Sequence, residues 1–293
     1  MGDIILLPIL IESCASSSGG HLNTGSSSEC LEGVTNKLVL AKSTFRFTDV
    51  DDFKNQTSWQ TAIQNKDIVP LFSVYEVAED NTEATKYESG SYSVVTEKEV
   101  KKMTCESYLS ICSHKALKSY QSGDYTQVFE ITTKGEVLGV YDNDGVKVKG
   151  QDISEFDVAI RSRPTNDKPG YSMQTITYRD FEEFEDNGII IKEAWDIQAL
   201  QGVFGLQLAV SGSPTSSEII VSCTTGCGST PFDGMTVSDW TFTGGTISTS
   251  TYSATTGLYT LTGTGLASGN LSTGGVITID AWLYESNVLA VTI

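Results

Sequence analysis

Of the two histidines in the 293 residues, His114 lies two positions after Cys112 and directly before Lys115, in Cys112-Ser-His-Lys-Ala-Leu-Lys-Ser-Tyr120. A thiol, an imidazole and an amine this close are the groups that nucleophilic catalysis or metal binding uses. A Cys/His pair works only if the two side chains meet and a third group orients the imidazole. Positions two apart face different sides of a helix, and Ser113–Gln121 is helical in composition. Ser113 would be its N-cap, and Ala116, Leu117 and Tyr120 its apolar stripe. The segment therefore reads as a strand-to-helix corner: Tyr108–Cys112 ends a strand, and Cys112 is a small buried hydrophobe.

Other combinations fail on spacing. The six cysteines fall in pairs, Cys14 with Cys30, Cys105 with Cys112 and Cys223 with Cys227, but no Cys-x-x-Cys occurs and the histidines are scattered, so no zinc site is expected. Cys14 and Cys30 could close a Ser/Gly-rich loop, and Cys223-Thr-Thr-Gly-Cys227 could clip a turn. Six free thiols in a reducing compartment are the alternative. Asp142-Asn-Asp-Gly145 resembles the start of a calcium loop, but aligning Gly145 on its glycine puts Val140 and Gln151 where acids belong; a tight Asp-Gly turn explains it. The pairs Asp51/Asp52 and Glu182/Glu183 are adjacent in charged runs, whereas glycoside hydrolysis needs carboxyls facing across a cleft. Phosphate-loop, Gly-x-Ser-x-Gly and His-Glu-x-x-His patterns do not occur. No catalytic, cofactor-binding or metal residue is assigned, and an enzyme is not expected.

The elements that would carry these residues are mostly strands. Leu38–Phe47, Val69–Val77 (an edge, given Pro70), Ser91–Val95, Lys101–Ser110, Gln127–Thr132, Glu136–Tyr141, Phe156–Ile160 and Ser172–Tyr178 read as β, with a short helix over Ser58–Asn65 capped by Thr57 or Ser58. Thr133-Lys-Gly135 is a hairpin turn, and Phe181–Gly188 is an acidic segment. Beyond residue 200, Gly, Ser and Thr dominate. Leu206–Val210, Glu218–Cys223, Thr241–Thr243, Tyr259–Thr262, Val276–Trp282 and Val288–Ile293 are strand candidates, a β-sandwich pattern.

Charge marks the divisions. The net charge is −18, and every Lys and Arg lies between Lys37 and Lys192. Three regions follow: an N-terminal arm over 1–35, apolar then Ser/Gly-rich; a β domain over 36–200; and a sandwich over 201–293. So acidic a surface disfavours binding to nucleic acid phosphates. The apolar run Ile4–Ile11 follows Asp3 and precedes Glu12, unlike a signal peptide. Leu6 stands where myristoylation wants Ser or Thr, and no run approaches the ~20 apolar residues of a membrane span.

Two resemblances add to this. Pro231-Phe-Asp-Gly-Met-Thr-Val-Ser-Asp-Trp-Thr-Phe242 and Gly257-Leu-Tyr-Thr-Leu-Thr-Gly-Thr-Gly265 resemble bacterial and phage immunoglobulin-like modules of the invasin type. With no lysine in this region, the Lys–Asn crosslink of some such modules is excluded. The middle region is similar, in its order of elements, to major tail tube proteins of tailed bacteriophages. That order is the helix Trp59–Gln64, Asp67-Ile-Val-Pro-Leu71, the corner His114–Lys118, hairpins Val128–Val140 and Val146–Val158, and Asp186–Trp195. This implies a tail-tube-like β-sandwich or barrel with a short flanking helix, followed by an Ig-like sandwich. It also implies a virion structural protein assembled in the host cytoplasm, whose copies form stacked hexameric rings around a DNA channel. The partners implied are the chain itself, other virion proteins, DNA passing without specific binding, and host-surface glycans for the Ig-like part. A capsid decoration or head-fibre protein and a bacterial surface adhesin are the alternatives.

Overall fold

The structure is a computed structural model describing residues 10–11, 32–89, 92–97, 99–180, 182–225 and 230–293. The chain is mainly β and divides into two compact units, Met1–Leu200 and Gln201–Ile293.

In the first unit the elements run β1 (Leu10–Ile11), β2 (Thr35–Lys42), α1 (Val50–Lys54), α2 (Gln56–Gln64), β3 (Ile68–Ser73), β4 (Tyr75–Glu79), β5 (Thr85–Ser89), β6 (Tyr92–Glu97) and β7 (Lys102–Ser107). They continue with α3 (Ile111–Lys118), β8 (Tyr125–Thr132), β9 (Glu136–Tyr141), β10 (Val148–Lys149), β11 (Gln151–Val158), β12 (Ser172–Tyr178), α4 (Glu183–Asn187) and β13 (Gly188–Lys192). A curled sheet has the order β1-β13-β9-β8-β11-β12-β7-β4, with β2 on β8, β3 on β2 and β10 on β9. Hairpin β5–β6 is a separate two-stranded sheet.

The pair β2–β8 is the wall between two cores. Leu38-Val-Leu-Ala41 is apolar without alternation because both faces of β2 are buried. Leu38 and Leu40 pack with Val128, Ile153, Ile176 and Tyr178. Val39 is paired with Phe129, on the other face. There Phe129 lies 5.3 Å from Trp59, 5.8 Å from Phe53 and 5.9 Å from Phe47, ring centre to ring centre. Trp59 is fully buried, and its indole N–H donates to the Phe53 carbonyl at 2.6 Å.

The free edge of β8 is divided. Gln127 and Val128 pair with β11, while Glu130 and Ile131 pair with β9. The chain passes from one partner to the other at Gly150, where a Cβ would stand 2.9 Å from the N, C and O of Val128. Only glycine fits that crossing without moving β8.

Local signals explain most boundaries. The Thr133-Lys-Gly135 turn joins β8 to β9, with Gly135 at φ 76°. Pro70 lies on β3, which pairs only with β2, so its missing N–H interrupts no second ladder. Three expectations are corrected. The cap of α2 is Asn55, whose side chain accepts from the Thr57 N–H at 2.9 Å, rather than Thr57 or Ser58. The expected strand Val69–Val77 breaks at Val74 into β3 and β4, with Glu76 at φ 51° forming a bulge opposite β7. Helix α3 starts at Ile111 with Ser110 as cap, so Tyr108–Cys112 does not end a strand and Cys112 is exposed in the first turn; Leu117 alone on this helix is fully buried.

The second unit contains β14 (Phe204–Val210), β15 (Glu218–Thr225), β16 (Thr230–Pro231), β17 (Thr241–Phe242), β18 (Ile247–Ser253), β19 (Leu258–Gly263), β20 (Gly269–Ser272), β21 (Ile277–Ile279), β22 (Trp282–Ser286) and β23 (Leu289–Val291). One sheet has the order β18-β19-β15-β14-β22-β21, with β16 on β15, and the other is β17-β20-β23. Leu208, Ile219, Val221, Tyr259 and Leu261 from the first meet Leu271 and Val291 from the second in one core, a β-sandwich. The expected strand Val276–Trp282 is instead two strands joined at Asp280-Ala281, both with positive φ as a two-residue hairpin turn requires.

Gly150→Ala should destabilise the first unit by about 1–3 kcal/mol through overpacking. Gly205→Ala, with open space at its Cβ, should be close to neutral. Urea melts of the two variants check this.

Candidate functional site

The residues singled out for chemistry are kept apart. His114 Nδ1 lies 2.8 Å from Ser172 Oγ, and burial, then Lys118 and Arg161, hold its pKa below the usual histidine value. Cys112 is disulfide-bonded, so it is no thiolate partner for that imidazole. Cys105 and Cys223 are free, buried thiols; burial pushes both up to about 12, with Glu130 and Glu106 adding to the effect at Cys105. A thiol so shifted is inert as a nucleophile near neutral pH. The expected clip at Cys223 is corrected: its thiol is unpaired and sits 3.8 Å from Met235 Sδ. Cys14, Cys30 and Cys227 lie outside the described residues.

The acidic motifs have structural partners. Asp144 accepts from the Val146 and Lys147 backbone N–H groups at 3.0 and 2.9 Å, and these bonds, with the Lys147 ammonium, lower its pKa to about 2. Asp52 accepts from Thr48 and Ser58 at the α1–α2 junction. Among the described residues, no group of three or more His, Cys, Asp or Glu is placed to hold a metal ion, and no helix is long and apolar enough to cross a membrane.

Two kinds of surface remain. The first is a cavity of about 780 Å³ in the first unit, lined by Glu83, Glu99, Asp152, Asp180, Glu183 and Asp186, with Arg179 the one cationic side chain among the described residues of its wall. Its floor is an ion cluster: Lys149 Nζ meets Asp152 at 2.8 Å and Glu183 at 2.6 Å, and Glu183 also accepts from the Asp152 N–H at 2.8 Å. Lys149 is only 6 % exposed. The cluster ties α4 to the β10–β11 crossing through Glu183. Sequence reasoning missed the cavity because its wall comes from separated segments.

The second is unpaired strand edge. Among the described residues, β3 and β4 each pair on one side only. At the β4 edge Tyr75 and Tyr108 stack at 5.1 Å while both stay exposed. Hairpin β5–β6 continues the β4–β7 ribbon through the bridge Thr82–Val100 and exposes Tyr87, Val94 and Val95. Such edges and apolar side chains are suited to pairing with another chain.

No family model, no curated protein and no solved structure matches this chain.

Lys149→Met should cost about 3–5 kcal/mol, because it leaves two carboxylates at a half-closed site without their cation; chemical denaturation measures it. Cys105 and Cys223 should resist alkylation at pH 8 until denaturant is added, as mass spectrometry of the labelled chain would show.

Proposed function

We propose that the chain is a virion structural protein, a tail tube subunit of a tailed bacteriophage whose copies form stacked hexameric rings around a DNA channel. In this reading it is a self-assembling component without catalytic activity, and the second unit is an appended Ig-like module. The observation that carries the reading is the hairpin β5–β6, which pairs with no third strand among the described residues and leaves Tyr87 56 % and Val95 50 % exposed. A lone two-stranded hairpin is marginal in water, and seating it against another copy would bury those side chains. The open edges of β3 and β4 support lateral contacts of the same kind.

The charge supports the passage of DNA. At a net charge of −18, a lumen that is acidic or neutral would not arrest phosphates, so DNA would slide without specific binding. The second unit has no cation and presents hydroxyl-rich strands such as Ile247–Ser253. That surface suits weak polar contact with host-surface glycans.

Negative-stain microscopy of the purified full chain tests the reading. Rings or tubes of constant width are expected, and a dispersed monomer across a range of concentration and salt would refute it. Deleting residues 85–97 should reduce assembly by at least about tenfold while the remaining sheet keeps its circular dichroism, since the loss of a few buried apolar side chains is worth more than ~1.4 kcal/mol.

A further inference from the structure

The strands β4, β7, β12 and β11 have oppositely charged ends. In the β11–β12 ladder Ile153 pairs with Tyr178 near one end and Val158 pairs with Gln174 near the other, roughly 15 Å away. The acidic cavity lies at the first end: Asp152 precedes Ile153, Asp180 follows Tyr178, Glu99 precedes β7 and Glu83 follows β4. Hairpin β5–β6 leaves the sheet from this same end.

At the second end lie α3, which follows β7, and the loop 159–171, which follows β11. They carry Lys115, Lys118, Arg161 and Arg163, with Asp167 in the same loop and Lys168 paired to Glu106. Arg161 Nε donates to the Leu109 carbonyl at 2.9 Å, fixing the loop beside the helix. Lys118 lies one turn after His114 on α3, on the same face. Two isoleucines stand exposed here, Ile111 at 73 % and Ile160 at 87 %.

We infer that these two ends dock on one another in successive copies of the chain, the basic end of one seating on the acidic cavity of the next, and that this is the contact by which rings stack. The occupant is a second copy because both complementary surfaces belong to one chain. They lie at opposite ends of the same strands, so they cannot meet within a subunit. A contact between two different patches is heterologous and repeats without limit unless its rotation closes. Opposite charge sets the register of such a contact, and the exposed isoleucines and hairpin side chains supply apolar area to bury. The inference rests on the tube-subunit reading.

Full-length protein should form tubes whose mean length falls at least about tenfold as salt rises from about 0.1 M to about 1 M, where the screening length drops from ~10 to ~3 Å. Lys115→Glu with Lys118→Glu should leave rings that do not stack, and so should Glu99→Lys with Asp186→Lys. Mixing the two variants should restore tubes, because the two intact ends pair and the two charge-reversed ends are again opposite in sign. Tubes of unchanged length from both variants, or no response of the unaltered chain to salt, would overturn the stacking contact while leaving the tube reading in place. If a variant loses its folded circular dichroism spectrum, the salt series on the unaltered chain decides. An unaltered chain that gives neither rings nor tubes at any salt removes the tube reading and this inference with it.

Discussion

The first unit depends on one strand pair being buried from both sides. β2 and β8 run antiparallel from Thr35↔Thr132 to Lys42↔Tyr125, with an aliphatic core on one face and an aromatic core on the other. The pair is closed in sequence to neither partner, since about ninety residues separate the two strands, so the unit must hold a long loop before its central ladder forms. Once it is in place, the rest attaches around it: β3 to the outer edge of β2, and β9 and β11 to the divided edge of β8. The fork at Gly150 follows, because one strand can serve two layers only if the crossing chain comes within backbone distance.

Polar groups inside this arrangement work as ties. Lys37 is 7 % exposed and donates to the carbonyls of Gln198 and Leu200 at 2.5 and 2.8 Å. Gln198 in turn donates to the carbonyls of Thr132 and Thr133 at the β8–β9 turn, 3.0 Å each. The last residues of the unit are thus fixed to the beginning of its central strand. Burial lowers the pKa of Lys37, against the opposing pull of Asp196. Its charge is met by the two carbonyl oxygens, which hold it in position. Tyr178 shows the same economy: it is buried, and its hydroxyl donates to Glu130 at 2.6 Å, on the face of β8 that carries Val128.

What could be read from residues alone depended on whether the signal was local. The Thr-Lys-Gly turn, the apolar run of β2 and the strand Ser172–Tyr178 carry their own patterns, and the loss of basic residues at Gln201 falls where the two units divide. The cap of α3 was expected at Ser113 and lies three residues earlier, at Ser110; both are cap-forming types, and the structure bonds one to the other at 3.0 Å. Strand Ile247–Ser253 has almost no apolar periodicity; it exists because β19 offers an edge, and Thr249 meets Thr262 across it at 2.6 Å. Glu76 at positive φ and the acidic cavity are set by distant segments, which no window along the chain contains. The tail-tube and Ig-like resemblances speak to order of elements, and the mainly β architecture is the part of them that the coordinates carry.

One feature of the second unit bears on force. Its first strand, β14, lies parallel to β22 with Phe204 beside Tyr284 and Leu206 beside Ser286, and the Asn287 side chain bonds both the N–H and the carbonyl of Leu208. Tension applied through the ends of the module would strip the short β23 first. It would then load the β14–β22 bonds in shear, so that they must rupture together instead of unzipping one by one. The parallel pairing therefore makes the module resistant to tension along the chain.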